Sequence, residues 1–185
     1  MNIKTRPFTL FEIQSLVSHS PEPWRAIYMI AYQTGLRVSD LLRLPFRLPA
    51  SPFYLSEKKT GNTRKIQISP SIASSWISIQ SFGVQRDFLF PFRDVSAYRK
   101  ALVRHCAYCG IDLDRVAFHS IRKSTATHIS ENIGILAAMD FLGHKKLSTT
   151  MLYIEQDSVE CANLLEANTH LFSRVNTGGY NETGK

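Results

Sequence analysis

A chain of 185 residues with 44% hydrophobic content is long enough to bury one sizeable core and too short for two full domains. Its formal charge of +7 favours a polyanionic partner without proving one. Three cysteines argue against a disulfide framework, no apolar run approaches the ~18 residues of a membrane span, and MNIKTRPFTL lacks the apolar core and cleavage site of a secretory signal.

Thr9 and Glu12 form a capping box, and Leu10, Ile13, Leu16 and Val17 recur at helical spacing, so a first helix is predicted from Thr9 to His19. Pro21 and Pro23 open a second helix, whose dense apolar residues (Trp24, Ile27, Tyr28, Ile30, Ala31) suit a central core position and which Gly35 stops. A short helix from Val38 to about Leu44 then places Arg37 and Asp40 one turn apart on a shared face. Between Pro49 and Pro70, PFYLSE and RKIQIS alternate apolar and polar residues around KKTGNT, the pattern of a β-hairpin with a basic tip.

Ser71 to Phe82 and Val95 to Cys109 are amphipathic and predicted helical, with FLFPF between them as a buried extended stretch and Arg99, Lys100 and Arg104 along a basic edge. From Phe118 a helical pattern runs to about Asn132, breaks near Gly134, resumes through Phe141 and stops at Gly143. Ser148 or Thr149 is expected to cap a short helix carrying Tyr153 in its second turn. Asp157 caps a last helix to about Phe172, and NTGGYNETGK reads as a flexible tail over 173–185.

The segment FHSIRKSTATHISENIGILAAMDFLGHKKLSTTMLY places His119 and Arg122 three apart on one helix, and Tyr153 nine residues after His144. With TGLRVSDL around Arg37 and a lysine-tipped hairpin upstream, these motifs resemble the tyrosine recombinases, the phage-integrase family, over roughly Thr9 to Phe172. That family carries an arginine in a TGLRxSEL-like segment, a hairpin lysine, HxxR, LGH and a tyrosine nucleophile. The resemblance implies a mainly α fold with a small antiparallel β-sheet, the catalytic fold of DNA breaking-rejoining enzymes. It assigns Arg37 to the first arginine, His119 and Arg122 to HxxR, His144 to LGH and Tyr153 to the nucleophile. Lys59 in KTG fits the hairpin lysine best, with Lys58 and Lys65 as alternatives. Asp40 stands where the family usually has glutamate.

Residue chemistry suggests the roles. Attack on a phosphodiester builds charge on non-bridging oxygens, and two guanidiniums, Arg37 and Arg122, can grip them. Asp40 is expected to hold Arg37 in place and His144 to donate to a phosphate oxygen. A tyrosine with a reference pKa of ~10 must lose its proton during attack, so His119 is expected as the base, and Lys59 as the acid that protonates the leaving 5′-oxygen. The product is a 3′-phosphotyrosine that a second DNA 5′-hydroxyl can reverse, with no metal, nucleotide or other cofactor. Lys58, Arg64, Lys65, Lys145 and Lys146 are expected to touch DNA phosphates.

The expected partner is double-stranded DNA at a recombination site, bound by a multimer, a tetramer on synapsed DNA, with the helix at about 158–172 docking on a neighbouring subunit. The expected location is the cytoplasm, at the nucleoid. A type IB topoisomerase is the nearest rival, since it uses similar residues and acts alone. Eight residues ahead of Thr9 are too few for the family's N-terminal DNA-clamping domain, so the chain is expected to be one catalytic domain over 1–172: either a short recombinase or the catalytic fragment of a longer integrase. His105, Cys106 and Cys109 invite a zinc reading that fails for want of a fourth ligand nearby.

Overall fold

A computed structural model describes residues 5–82, 87–92 and 94–151. Tyr153, the helix expected at about 158–172 and the tail at 173–185 lie outside the described residues. Eight helices and one hairpin are present among those described: α1 Leu10–His19, α2 Trp24–Thr34, α3 Val38–Leu41, β1 Phe53–Ser56, β2 Thr63–Ile66, α4 Pro70–Ser81, α5 Val95–Tyr108, α6 Phe118–Asn132, α7 Ile135–Leu142 and α8 Leu147–Met151. None of these helices is long and apolar enough to cross a membrane.

The capping box at Thr9 and Glu12 forms as expected, and Arg6 clamps the same Glu12 carboxylate at 2.8 Å. Helix α2 is the hub. Its Ile27, Tyr28, Ile30 and Ala31 are almost wholly buried, and it packs against α1, α4 and α6. One end of this core is aromatic: the Trp24 ring meets Tyr98 edge-on at 5.6 Å and stacks on Phe92 at 5.9 Å, while Tyr98 meets Phe118 at 5.9 Å. Rings at these separations gain quadrupole attraction beyond their buried area.

Of the FLFPF stretch, expected as buried and extended, Leu89 and Phe90 are buried and Phe92 is exposed; Leu89 N–H donates to Leu44 C=O at 2.8 Å and Pro45 bridges Phe88. That bridge explains why α3 ends at Leu41 and not near Leu44. Arg43 and Leu44 make tighter bonds to carbonyls three residues back, and the residue before Pro45 is disfavoured in helical geometry. Helix α8 also starts earlier than expected. Thr149 N–H bonds to Lys146 C=O at 3.0 Å, so Ser148 and Thr149 lie inside the helix and do not cap it.

In the hairpin, Phe53 pairs with Ile66, Tyr54 with Lys65, Leu55 with Arg64 and Ser56 with Thr63. Paired residues share a face and neighbours alternate. Leu55, Arg64 and Ile66 therefore point into the protein, while Tyr54 and Lys65 point out. The expectation that both Arg64 and Lys65 touch DNA thus fails for Arg64, which is 4% exposed: adjacent strand residues cannot both face outward.

Candidate active site

Gly35 ends α2 in left-handed geometry at φ 56°, a conformation that costs an L-residue about 1–2 kcal/mol. The turn also needs the space, because a Cβ here would stand 2.9 Å from Leu142 Cδ2 and 3.2 Å from Thr125 Cγ2. The chain leaves this turn with Arg37 at the N-cap of α3, half-buried and aimed at the hairpin.

Its partner there is Glu57, not Asp40. Arg37 Nη1 lies 2.7 Å from Glu57 Oε2, and Arg122 Nη1 lies 3.9 Å from Oε1 of the same carboxylate. Glu57 is 1% exposed and also accepts from the Thr60 hydroxyl at 2.7 Å. Burial alone raises its pKa, but the hydrogen bonds from Thr60 and Arg37 and the charges of Arg37 and Arg122 win, holding it below the ordinary carboxylate value. Asp40, fully buried, instead accepts from Lys58 N–H at 2.8 Å and lies 3.8 Å from Arg43 Nη1. It ties the hairpin tip, and with it Lys59, to α3. Sequence reasoning missed Glu57; the available signal was an acidic residue two positions before the candidate lysine, at the base of a basic tip.

Arg122 is 1% exposed. Its Nη1 donates to Gly35 C=O at 2.5 Å, and its Nη2 to Leu142 C=O at 3.2 Å and to His144 Nε2 at 3.0 Å. Arginine can only donate, so His144 Nε2 is the acceptor and the ring proton sits on Nδ1, which donates to Thr150 Oγ1 at 2.9 Å. The imidazole is neutral. Consistently, burial and the charges of Arg122 and Arg37 push its pKa down to about 4. In this arrangement His144 steadies Arg122 from behind, where a direct donation to phosphate had been expected.

A cleft of about 550 Å³ is lined by Arg37, Lys59, His119, Arg122, Thr149 and small stretches of α3 and the hairpin. A larger cleft, about 770 Å³ beside β2 and α4, holds none of Arg37, Lys59, His119 or Arg122, so volume alone does not identify the site. His119 stands at the rim, exposed. Desolvation of part of its ring, with the charges of Arg122, Lys123, Arg37 and Lys59, pushes its pKa down to about 4. The His119 imidazole is therefore neutral at neutral pH. Lys58, Lys65, Lys145 and Lys146 are exposed, the last two in the turn between α7 and α8. Tyr153 lies outside the described residues, four positions after Thr149 of the cleft wall.

Among the described residues no group of three or more His, Cys, Asp or Glu side chains is placed to hold a metal ion. His105 Nδ1 hydrogen-bonds the Tyr28 hydroxyl at 2.9 Å and is a packed core histidine. His128 is likewise paired, through Nδ1 to the Tyr32 hydroxyl at 2.8 Å.

Residues 7–160 match the sequence profile of the Phage integrase family. The chain is 30% identical over 167 residues to a tyrosine recombinase XerC of Erythrobacter litoralis, covering 84% of this chain and 54% of the relative. It is 30% identical over 190 residues to a tyrosine recombinase XerA of Pyrococcus furiosus, covering 88% and 64%. The chain thus spans about half to two thirds of the length of these relatives. Its fold is similar to a crystal structure of XerA recombinase, with a TM-score of 0.73 at 21% identity over 92% of this chain and 65% of that one. It is also similar to a lambda integrase, with a TM-score of 0.70 at 17% identity over 84% of this chain and 49% of the other. With most of its length matched by the family profile, and with that fold, the chain belongs to the phage integrase family.

Proposed function

We propose that the chain catalyses site-specific DNA recombination by metal-independent transesterification, with Tyr153 as the nucleophile. The observation that carries this reading is the cleft of about 550 Å³, in which two guanidiniums, a lysine and a neutral imidazole line one space together with Thr149, which stands shortly before Tyr153 in the chain. Tyr153 Oη attacks the phosphorus and its proton passes to His119, a neutral imidazole with a nitrogen able to accept it. Arg37 and Arg122 hold the non-bridging oxygens as their charge grows. The P–O5′ bond breaks and Lys59 supplies the proton to the departing 5′-oxygen. Attack by a second DNA 5′-hydroxyl on the 3′-phosphotyrosine restores the tyrosine and joins the new strand. No net bond energy is lost, so no nucleotide cofactor is required.

Double-stranded DNA is the proposed partner, approached by the exposed Lys58, Lys65, Lys145 and Lys146, and the proposed assembly is a multimer on synapsed sites. Lambda integrase is known as a dimer on a core site and as a tetramer on a Holliday junction, and XerH is known bound to its difH substrate. The proposed location is the cytoplasm, at the nucleoid. Domain organisation is proposed as one catalytic unit to about residue 172.

A nicked suicide DNA tests the reading. The wild type should form a covalent protein–DNA adduct in the presence of EDTA, and Tyr153→Phe should form none. An adduct that survives that substitution would sink Tyr153 as nucleophile. Supercoil relaxation without transfer to a second duplex would sink strand exchange in favour of a topoisomerase.

A further inference from the structure

Two buried guanidiniums hold the same two helix ends. Arg122 bridges the carbonyls of Gly35 and Leu142. Arg64, reaching in from β2, bridges the carbonyls one residue earlier in each helix: its Nη2 donates to Thr34 C=O at 2.9 Å and to Phe141 C=O at 2.5 Å. The ends of α2 and α7 therefore lie side by side, each followed at once by a left-handed glycine, Gly35 at φ 56° and Gly143 at φ 68°. The last carbonyls of a helix lack partners within it and concentrate partial negative charge. Two such ends brought together repel each other unless cations lie between them.

Arg64 is built closely into this junction. A Cβ on Gly143 would stand 3.1 Å from Arg64 Cγ and 3.3 Å from Cδ, and the guanidinium lies 5.6 Å from the centre of the Phe141 ring. Lysine could not lay a planar cation on that ring. Next in the chain after Gly143 is His144, whose ring fixes Arg122. The order Phe141–Leu142–Gly143–His144 thus links Arg64 to Arg122 through four consecutive residues.

We propose that Arg64 is a positioning residue for Arg122 and His144: by clasping the ends of α2 and α7 it sets the spacing at which Arg122 spans Gly35 and Leu142 while lining the cleft. Burial, aided by repulsion from Arg122, lowers the Arg64 pKa to about 10, which still leaves it charged at neutral pH. The kinetic consequence rests on the transesterification reading above. The consequence for the His144 ring does not.

Arg64→Lys and Arg64→Gln, each checked for a cooperative thermal melt, separate the two. Histidine-selective ¹⁵N spectra should find His144 as the Nδ1–H tautomer in the wild type, and a gain of the Nε2–H tautomer in both variants as Arg122 withdraws. An unchanged His144 in both folded variants would overturn the clasp, whatever the enzyme does. On suicide DNA, single-turnover adduct formation should fall on the order of a hundredfold, the scale of a mispositioned reacting group, with little change in the half-saturating DNA concentration. A 5′-phosphorothiolate substrate, whose sulfur leaves without protonation, should rescue Lys59→Ala and leave the Arg64 variants slow. Rescue of the Arg64 variants would overturn the assignment to Arg122 and transfer it to the hairpin lysine. A wild type that forms no adduct defeats the recombination reading alone, since the His144 tautomer still decides the clasp.

Discussion

Arg37 Nη1 lies 2.7 Å from the carboxylate of Glu57, and that buried carboxylate also faces Arg122 at 3.9 Å. One negative charge therefore sits beneath two guanidiniums that converge on one cleft. Leaving either partner of such a pair unpaired in the interior costs about 3–5 kcal/mol. Glu57→Ala should lower the urea-unfolding free energy by an amount of that order and abolish adduct formation. Glu57→Gln keeps the shape, loses the charge, and should be the milder of the two in both measurements. Equal stability of wild type and Glu57→Ala would show that the pair contributes nothing.

Asp40 acts on the other side of the cleft. Its bond to Lys58 N–H at 2.8 Å fixes the hairpin tip, so Asp40→Ala should mimic loss of Lys59 and not loss of Arg37. Its cleavage defect should therefore recover at least tenfold with a 5′-sulfur leaving group, while that of Glu57→Ala should not. The comparison of single-turnover rates on oxygen- and sulfur-containing DNA checks this, and equal behaviour of the two variants would refute the division of labour.

His144 makes the fold sensitive to acid. Its folded pKa of about 4 lies below the ordinary 6.5, so between these values the unfolded chain takes up a proton that the native ring refuses. Stability is unaffected by this group above pH 6.5 and falls as pH drops toward 4, with a slope approaching about 1.4 kcal/mol per pH unit for a fully buried ring. Glu57, whose folded pKa is depressed, stabilises above the ordinary carboxylate range and loses that contribution as pH falls through its folded value. The urea midpoint should drop between pH 7.5 and 5.5, and His144→Gln should flatten that drop. A flat wild-type profile would contradict a buried neutral His144.

Gly35 and Gly61 both have positive φ, 56° and 67°, but only Gly35 is crowded. Gly61→Ala carries backbone strain of about 1–2 kcal/mol, whereas Gly35→Ala adds overpacking against buried Leu142, for a total of about 2–4 kcal/mol. Thermal melts of the two variants measure the difference. A Gly35→Ala protein as stable as Gly61→Ala would mean the α2–α7 junction yields easily.

Local pattern carried much of the fold. The capping box at Thr9, the glycine stops at Gly35 and Gly143, the hairpin around KKTGNT and the span of α6 are all set by residues within a few positions of one another, where sequence spacing maps directly onto geometry. The boundaries that slipped, at Leu44 and at Ser148, depend on partners elsewhere or on a neighbouring turn: the Leu89 N–H in one case, the tight exit from Gly143 in the other.

By itself the sequence determined which residue types were present for phosphate chemistry and that they lay in motifs of the right spacing, because a helix brings His119 and Arg122 together wherever it is. Only the tertiary structure decided who partners whom. Asp40 is close to Arg37 in the chain and Glu57 is not, yet the hairpin's fold back over α3 gives Glu57 the arginine and Asp40 the Lys58 amide. Arg64 and Lys65 are both basic, and the register with Leu55 and Tyr54 sends one to the helix ends and the other to solvent. Charge complementarity is readable in one dimension; which oppositely charged groups meet in the interior is fixed by long-range packing, where burial makes each unpaired charge costly.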